Sequence, residues 1–370
     1  MASRELSSIA SARLRRSHLP LVGGAQRTAY AAAQIARIAW YSGHYVVGRR
    51  FMGPLTGPGE APYAEEFGPL DRTRLKNAFR ELFRTDWRNI RNGEYKMPRE
   101  ARRPPSLKRL MAQSRDYLAD ARAVARRRQA RGHSEVRFTE ENDRYPRYYL
   151  QNFHFQTDGW LSERSAGRYD MQVETLFTGA AGAMRRQALP EIRRAIGGRD
   201  PASISLLDLG CGAGGFLEEV KDNWPLLNAT ALDLSPAYLG KVRQRLARAR
   251  NVRFVEAKAE QTGLADAAFD IVTAVYLFHE LPPAVRKDVA REIARLLKPG
   301  GVLIEVDTIQ YGDEPGLDVL LENFPRAFHE PYYDGYCRAD LGALFAGAGL
   351  VKKTETIAYL TKISAFEKAS

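Results

Sequence analysis

Cysteine and histidine are scarce in this chain of 370 residues, which holds two cysteines and six histidines. The two cysteines, Cys211 and Cys337, cannot form the disulfide framework of a small secreted protein. No Cys and His residues recur at the spacing of a zinc site, so the sequence predicts no metal centre. We therefore expect a protein of a reducing compartment and predict that it is cytoplasmic.

Long apolar runs are also missing. The best candidate, residues 29–48, is interrupted by Arg37 and contains Gln34, Ser42 and His44. A helix that spans a bilayer needs about 18 or more consecutive apolar residues, so we expect none here. With 44% apolar residues, the chain can nevertheless bury a sizeable core. The sequence thus predicts a globular protein with one large domain or two ordinary ones.

Acidic residues are underrepresented in one part of the chain only. Residues 1–150 contain 30 Lys and Arg but 15 Asp and Glu, whereas residues 151–370 contain 26 and 29. The first part therefore carries a net charge of +15 and the second −3. Such a difference indicates different roles, with the basic part facing a polyanion or an anionic membrane surface. A solvated, arginine-rich surface without a partner is an equally good explanation.

Helical patterns organise the basic part. Residues 25–50 predict a helix that ends before the glycine- and proline-containing stretch 53–59. Residues 71–90 predict a basic amphipathic helix, with Leu75, Phe79, Leu82, Phe83, Trp87 and Ile90 on one face and Arg72, Lys76, Arg80, Arg84 and Arg88 on another. This helix either packs on the core with a solvated rim or contacts anionic lipid or nucleic acid. Residues 99–131 have few large apolar side chains and predict a weakly packed helix or a linker.

Aromatic side chains crowd between residues 145 and 160. The segment holds Tyr145, Tyr148, Tyr149, Phe153, His154, Phe155 and Trp160. Such density favours a lid over a pocket, although aromatic residues also fill ordinary cores. Both interpretations stay open at this point.

Apolar strands alternate with helical patterns from about residue 196 onward. The predicted strands are 204–209, 229–234, 252–256, 270–275 and 301–306. This alternation is typical of a doubly wound α/β fold with a parallel sheet. Residues 350–357 and 359–366 predict a final pair of strands.

A glycine-rich loop follows the first of these strands and its acidic residue, Asp208. Gly210, Gly212 and Gly215 fit the G-x-G-x-x-G pattern of dinucleotide sites, while Gly210, Gly212 and Gly214 fit the G-x-G-x-G pattern of S-adenosylmethionine sites. Such a loop lets backbone N–H groups and a helix N-terminus approach a ligand closely. Asp233 ends the second strand, where an acid can accept hydrogen bonds from ribose hydroxyls. Both cofactors contain that ribose, so the spacing leaves them undecided.

Three downstream segments carry a resemblance that separates the two cofactors. These are Phe269–Val272 at strand four, Tyr276–Pro282 after it, and Leu297–Gly301 before strand five. Together with the glycine loop they resemble the motifs of class I S-adenosylmethionine-dependent methyltransferases, especially the small-molecule branch that includes quinone-biosynthesis C-methyltransferases. The resemblance covers residues 196–366. It implies a seven-stranded, mostly parallel sheet with an antiparallel last strand, preceded here by a helical extension.

The resemblance also implies a cofactor, S-adenosyl-L-methionine, and residues that hold it. Asp208, Gly210, Gly212 and Gly214 would surround the methionine portion and Asp233 would bind the ribose. The further contacts that it implies are Cys211, Leu234, Ala259, Glu260 and, as an aromatic cover, Tyr169. One position departs from the family pattern, because Lys258 stands where relatives carry an aspartate that accepts from the adenine amino group. We expect backbone groups or Glu260 to take over that contact.

The reaction and its acceptor are less well specified. His279 follows strand four and is a candidate general base, although capping or packing explains a histidine there equally well. The candidate acceptor-binding residues are Tyr276, His329, Tyr333 and Tyr336. At the end of strand four the chain has Thr273–Tyr276 rather than the Asn/Asp-Pro-Pro-aromatic motif of amino-group methyltransferases, and neither cysteine follows a proline. These features favour a small apolar or aromatic acceptor.

Several alternatives remain at this stage. They are an RNA methyltransferase that uses the basic part, a nicotinamide-dependent oxidoreductase, and a binding protein that keeps the fold without catalysis. We predict a basic helical extension at 1–140, an aromatic-rich pre-domain at 141–195 and the cofactor-binding domain at 196–370. The segment 153–162 resembles a pre-domain of uncharacterised bacterial methyltransferase-like proteins. Predicted partners are a small-molecule acceptor and a membrane surface touched by the basic helices; nucleic acid is less favoured and the oligomeric state is open.

Overall fold

The computed structural model of the chain describes residues 23–52, 66–130, 132, 136 and 144–369. Helices come first along the described chain. They are α1 (Gly24–Met52), α2 (Arg72–Arg91), α3 (Arg99–Arg102), α4 (Leu107–Ala130), α5 (Glu163–Leu176), α6 (Ala181–Arg186) and α7 (Leu189–Ile196). The predicted helix at 25–50 is therefore confirmed, while the predicted stop at 53–59 lies outside the described residues.

A doubly wound α/β unit follows. Its elements are β1 (Ser205–Leu209), α8 (Gly215–Asn223), β2 (Asn228–Asp233), α9 (Pro236–Arg245), β3 (Val252–Glu256), β4 (Phe269–Val275), α10 (Pro283–Leu296), β5 (Leu297–Thr308), α11 (Asp318–Ala327), α12 (Tyr333–Cys337), α13 (Leu341–Ala346), β6 (Leu350–Ala358) and β7 (Thr361–Lys368). Short 3₁₀ turns lie at Phe153–Phe155, Pro201–Ser203 and Phe278–Glu280.

The sheet has seven strands in the order β3-β2-β1-β4-β5-β7-β6. β1 to β5 pair in parallel, and β7 runs antiparallel to β5 on one side and to β6 on the other. All seven predicted strands are confirmed, and so is the antiparallel last strand. β5 starts earlier than predicted, because Leu297 already pairs with Phe269 before a shift of register brings Val302 opposite Ile271. The intervening Lys298–Gly301 turn is absorbed as an irregularity in the strand.

Two apolar cores cover the faces of the sheet. One face packs α7, α8 and α9 residues such as Ile192 and Val220 against β1 residue Leu206, and the other packs α10, α12 and α13 against Leu207 and Val272. This alternation along β1 follows from the two-residue period of a strand that is covered on both sides. The first core also contains Tyr30, Leu82, Ile90 and Tyr95 from the basic part of the chain. The described N-terminal helices thus share a core with the sheet.

A buried ion cluster joins the N-terminal helices to the α/β unit. The guanidinium of Arg186 on α6 is almost fully buried and contacts the Asp86 carboxylate at 2.7 Å, with Glu100 at 3.0 Å and Glu219 at 3.3 Å. Tyr30 and Tyr95 donate hydrogen bonds of 2.6 and 2.7 Å to the same Asp86. Burial tends to lower the pKa of Arg186, but these carboxylates raise it well above its ordinary value. A buried guanidinium needs such compensation, so α1 and α2 are bound electrostatically to α6 and α8.

The amphipathic helix α2 packs its apolar face inward. Leu82 and Ile90 are buried, Phe79, Phe83 and Trp87 pack against the same core, and basic residues such as Arg84 stay largely exposed. Asp71 caps the helix by accepting a hydrogen bond from the Arg74 N–H at 2.9 Å. The interpretation as a packed helix with a solvated basic rim is therefore confirmed.

Helix α4 differs from the expectation of weak packing. It contacts α1 and α5, and Ala121 and Ala125 are buried along its inner face. Small side chains allow close helix contact without large apolar residues, which is why the composition of this segment was misleading. Among the described helices, none combines the length and apolarity needed to cross a bilayer.

Candidate active site

A cleft opens at the carboxyl ends of β1, β2 and β4, as expected where the strand order of a parallel sheet reverses. It encloses about 770 Å³ of space not filled by protein atoms, including its open mouth. The lining residues from the sheet and its loops are Gly210, Gly212, Leu232, Asp233, Leu234, Tyr238, Ala257, Ala259, Val275, Tyr276, Leu277, Glu280 and Leu281. Five aromatic residues of the preceding segment complete it: Tyr148, Tyr149, Phe153, Trp160 and Tyr169.

The glycine loop forms one wall of this cleft. Gly210, Gly212 and Gly214 all have positive φ, at +71°, +52° and +74°. A Cβ on Gly214 would lie 2.9 Å from Val242 Cγ1, so this glycine permits close packing of α9 and does not line the cleft. Cys211 is also outside the lining; its side chain is buried and its N–H donates to the Leu232 carbonyl at 2.9 Å.

Asp233 lies on the floor of the cleft at the end of β2. Its carboxylate accepts hydrogen bonds from the N–H groups of Gly212 at 2.9 Å and Ser235 at 2.8 Å. Burial raises the pKa of Asp233 to about 6, and the backbone hydrogen bonds limit that rise. Each carboxylate oxygen has a second lone pair, so the group is fixed in position and can still accept hydrogen bonds from a ligand.

Asp208 is buried behind the glycine loop and outside the lining of the cleft. Thr273 donates to its Oδ1 at 2.7 Å, and its Oδ2 has no partner among the described residues. Burial raises the pKa of Asp208 to about 7. An unpartnered carboxyl oxygen at the base of a ligand cleft indicates that a ligand or a water molecule completes its hydrogen bonding.

Ala257 and Ala259 line the end of the cleft next to β3. The side chain of Glu260 is outside the lining and accepts the Tyr148 hydroxyl, which lies 2.8 Å from both of its carboxylate oxygens. Lys258 is not among the lining residues either. Small apolar side chains therefore line this end, and recognition of the adenine by backbone groups or by Glu260 stays a prediction.

The aromatic segment covers the cleft. Trp160 and Tyr169 meet edge to face with centroids 5.7 Å apart, and Tyr169 comes within 4.0 Å of where a Gly212 Cβ would stand. Phe153 and Trp160 are buried together with Tyr238 in a small cluster of their own. The two interpretations of this segment are therefore compatible. The rings pack on one another as in a core, and the same residues line the cleft as a lid would.

His279 lies behind the cleft wall rather than in its lining. Its Nδ1 is 2.5 Å from Asp307 Oδ1 on β5, and its ring packs edge to face against Tyr276 and Tyr333. Burial acts to lower the pKa of His279, but the Asp307 carboxylate outweighs it and raises that pKa to about 9. At neutral pH the imidazole is therefore mainly protonated. Its catalytic role stays a prediction.

Glu280 is an acid in the cleft to which the sequence reasoning gave no role. Its side chain lines the cleft beside Tyr276 and Leu277, and its Oε1 is 4.0 Å from His279 Nε2. Burial raises the pKa of Glu280 well above its ordinary value, although His279 opposes the rise. The only available signal was its position next to His279 after strand four.

The predicted acceptor residues separate into two groups. Tyr276 lines the cleft, whereas Tyr333 and Tyr336 are buried in the core on the other face of the sheet. The Tyr336 hydroxyl donates to the Thr308 carbonyl at 2.7 Å. His329 Nε2 lies 2.8 Å from the Gln151 side-chain oxygen and does not line the cleft. Binding of an acceptor by these three residues stays a prediction.

The cleft fits S-adenosyl-L-methionine. The fixed Asp233 carboxylate suits a ribose, the Gly212 wall leaves room for close approach, and aromatic faces attract a sulfonium cation. Tyr276, Trp160 and Tyr169 line the cleft with such rings, and Glu280 adds a second acid to the lining beside Asp233. The geometry thus brings together Gly210, Gly212, Asp233, Leu234, Ala259 and Tyr169 from the predicted cofactor residues, and leaves Asp208, Cys211, Gly214 and Glu260 outside the lining.

Comparison with known proteins agrees with this geometry. Residues 206–301 match a family model described as a methyltransferase domain. The chain is 30% identical over 148 residues to a malonyl-[acyl-carrier protein] O-methyltransferase of a Paenibacillus species, which covers 39% of this chain and 51% of that protein. It is 32% identical over 143 residues to a demethylmenaquinone methyltransferase of Thermus thermophilus, covering 38% and 61%. The matches thus span about half to three fifths of these relatives.

Among solved structures, the chain also matches human N-acetylserotonin methyltransferase in complex with SAM. It shares 15% sequence identity with a TM-score of 0.44, and the alignment covers 56% of this chain and 57% of that one.

Proposed function

We propose that this protein, whose residues 206–301 match a methyltransferase domain, transfers a methyl group from S-adenosyl-L-methionine to a small apolar or aromatic acceptor. The observation that carries the proposal is the Asp233 carboxylate. Two backbone N–H groups fix it on the floor of a cleft that a glycine loop and aromatic rings enclose. The relatives named above act, by their names, on a quinone precursor and on an acyl group carried by a protein.

In this proposal each wall of the cleft has one task. Asp233 accepts hydrogen bonds from the ribose hydroxyls, and the backbone at Gly210 and Gly212 contacts the methionine portion. Ala257 and Ala259 enclose the adenine. When bound, the cofactor supplies an electrophilic methyl group on a sulfonium. The rings of the lid exclude water and align the acceptor, which is the main requirement of an in-line displacement.

Proton removal, where the acceptor requires it, has two candidates. Glu280 lines the cleft, and its raised pKa makes its carboxylate a better base than an exposed one. His279 lies behind Glu280 and holds a proton at neutral pH, which favours a role in orienting and charging the wall over direct abstraction. We expect Glu280→Gln to slow turnover more than His279→Gln, with cofactor affinity unchanged in both variants. If both variants turn over equally fast, Glu280 is not the preferred base.

Calorimetry with S-adenosyl-L-methionine tests the proposal directly. Asp233→Ala should weaken binding by about 2 kcal/mol, or roughly thirtyfold, because it removes hydrogen bonds to a charged acceptor. The matched control is Asp288→Ala on the exposed side of α10, which should bind as the unaltered protein does. An unaltered protein that binds NADH instead would point to the oxidoreductase alternative. Cofactor binding without turnover of any extract component would favour a binding protein.

We also propose peripheral contact with anionic membranes through α1 and α4. Large apolar side chains are exposed on both helices, including Ile35 at 66%, Leu107 at 67% and Met111 at 61%. Arg49 and Arg50 in the last turn of α1 add positive charge. Sedimentation with phosphatidylcholine vesicles, with and without phosphatidylglycerol, tests this contact, and Ile35→Glu should reduce binding to the anionic vesicles. Equal sedimentation with both vesicle types would rule out charge attraction.

A further inference from the structure

A second cavity lies between the N-terminal helices and α5. Its walls come from Tyr45 on α1, from Tyr117 and Val124 on α4, and from Val173 and Leu176 on α5. We call it the helical chamber. It encloses about 740 Å³ of space not filled by atoms, including its opening. The chamber contains none of the predicted acceptor residues that follow β5, and none of the cofactor residues of the sheet. Residues 1–150 provide a large part of its wall.

The helical chamber adjoins the cofactor cleft. Trp160 and Tyr169 line both cavities, so the two spaces meet at this pair of rings. Tyr169 also lies over the glycine loop, close to Gly212. A molecule in the chamber would therefore lie against the same two rings that border the cofactor cleft.

The charge of the helical chamber is balanced. Asp120 is the one carboxylate among its lining residues, and its Oδ1 is 3.0 Å from Arg168 Nη1 and accepts the Thr157 hydroxyl at 2.7 Å. His154 lines the chamber as well, and its Nε2 lies 2.9 Å from Glu330. Because Asp120 is already paired with the Arg168 guanidinium and the His154 ring already lies against the Glu330 carboxylate, the chamber favours a neutral ligand. Its other walls are largely aromatic and aliphatic.

Three polar groups in the chamber wall lack hydrogen-bond partners among the described residues: the Thr175 hydroxyl and two nitrogen donors. The side-chain nitrogen of Gln156 and the indole N–H of Trp160 have no hydrogen-bond partner among the described residues. Gln156 is 2% exposed and Trp160 is 7% exposed, so bulk water does not satisfy them. Buried donors of this kind are costly and are normally paired. A ligand oxygen inside the chamber would supply the missing acceptor.

We propose that the helical chamber binds the body of the methyl acceptor, a neutral, mainly apolar ring compound with a carbonyl or hydroxyl oxygen that bonds to the Gln156 amide. This inference rests on the proposed function and names the substrate class and the part of the chain that selects it. The inner faces of α1 and α4, which are largely uncharged at the chamber, then select the acceptor. Their charged outer surfaces are free for another role.

Binding of two probes that differ by one oxygen tests the proposal. The full-length protein is titrated with 2-naphthol and with naphthalene, followed by the fluorescence of each probe, and with S-adenosylhomocysteine by calorimetry. We expect 2-naphthol to bind about tenfold more tightly than naphthalene, the factor that one net hydrogen bond provides. Gln156→Leu should abolish this preference and leave S-adenosylhomocysteine affinity unchanged. Gln244→Leu, an exposed position on α9, is the matched control.

A second variant tests the location. Val124→Trp should fill the chamber and weaken both probes at least tenfold, whereas Ala119→Trp, exposed on the same helix, should not. The proposal is overturned if the unaltered protein binds neither probe, if Gln156→Leu keeps the preference, or if a folded Val124→Trp protein binds both probes normally. If Val124→Trp does not fold, the Gln156→Leu result decides. If the unaltered protein does not bind S-adenosylhomocysteine but the probes behave as expected, the proposed function is contradicted. The helical chamber then remains as a separate binding site.

Discussion

Residues 151–370 contain a seven-stranded sheet and carry a net charge of −3, whereas the described part of residues 1–150 is mainly helical and the whole segment carries +15. The sheet region places its functional groups through short-range rules, since strand ends and glycine turns occur at regular spacing along the chain. The basic region contributes through partners about 100 residues away, such as Asp86 with Arg186. The two regions therefore form one structure, in which only residues 151–370 contain local motifs that predict their role.

Removing the basic region should have the largest effect. Without residues 1–143, Arg186 loses Asp86 and Glu100, and the core loses Tyr30, Leu82 and other apolar side chains. We expect no cooperative unfolding transition by circular dichroism, because these losses exceed the roughly 5–15 kcal/mol by which a domain is stable. A truncated protein that unfolds cooperatively and binds the cofactor would instead support an independent extension with a boundary near residue 140.

Asp86→Ala tests the ion cluster that joins the regions. It leaves the buried Arg186 without its bidentate partner and should lower the free energy of unfolding by about 3–5 kcal/mol in urea titrations. Arg186 keeps Glu100 and Glu219 as partners in this variant, so adding Arg186→Met should lower the free energy of unfolding further, because these two carboxylates then lose their cation. If the double variant is as stable as Asp86→Ala, the two remaining ion pairs do not contribute to stability.

The pH dependence of cofactor binding tests the sheet region alone. The pKa of Asp233 is raised to about 6 by burial, so its ionised fraction falls about tenfold for each pH unit below 6. We expect the dissociation constant of S-adenosylhomocysteine to rise accordingly between pH 6 and 5. Because the pKa of Asp233 is higher in the folded than in the unfolded protein, its protonation stabilises the unliganded fold. This contribution is fully present below the unfolded-state pKa of 3.8 and is lost as the pH rises through 6.

Two variants control for other groups in that titration. Asp233→Asn should flatten the profile around pH 6. Asp208→Asn should preserve it, because Asp208 has a separate pKa of about 7. A profile that Asp208→Asn removes and Asp233→Asn leaves intact would reassign the titration to Asp208.

Helix caps should have the smallest effect and should be equal in the two regions. Asp71 caps α2 and Asp340 caps α13, each by accepting a hydrogen bond from an N–H of the first turn. We expect Asp71→Ala and Asp340→Ala each to lower the free energy of unfolding by about 1 kcal/mol. A clearly larger loss for Asp71→Ala than for Asp340→Ala would show that the two caps are not equivalent.

The sheet could be predicted from sequence because its determinants are local. Apolar five- to seven-residue runs, acids at their ends and glycines after them specify strands, turns and one wall of the cleft. Asp233 and Gly212 were found in this way. Gly214 was assigned to the cofactor because spacing alone does not distinguish a glycine that approaches a ligand from one that admits Val242.

The other site residues could not be predicted from local sequence, because their positions depend on contacts between distant segments. Tyr333 and Tyr336 look like pocket residues in sequence, but an aromatic side chain after a strand fills a core as readily as a pocket. Glu280 has no distinguishing neighbour except His279. Gln156 and Val124 line one cavity only because α4 packs against the turn at Phe153–Phe155. No local pattern encodes a cavity whose walls come from segments more than 30 residues apart.

The Arg186 cluster also constrains the order in which the chain acquires structure during synthesis. Tyr30, Asp86 and Tyr95 leave the ribosome well before Arg186, and Glu219 follows later still. Until then the polar groups of α1 and α2 have no cation to surround, and burying them is unfavourable. The N-terminal helices are thus synthesised first but gain their buried ion pairs late. During the synthesis of at least another hundred residues, nascent chains of this protein expose these helices to chaperones.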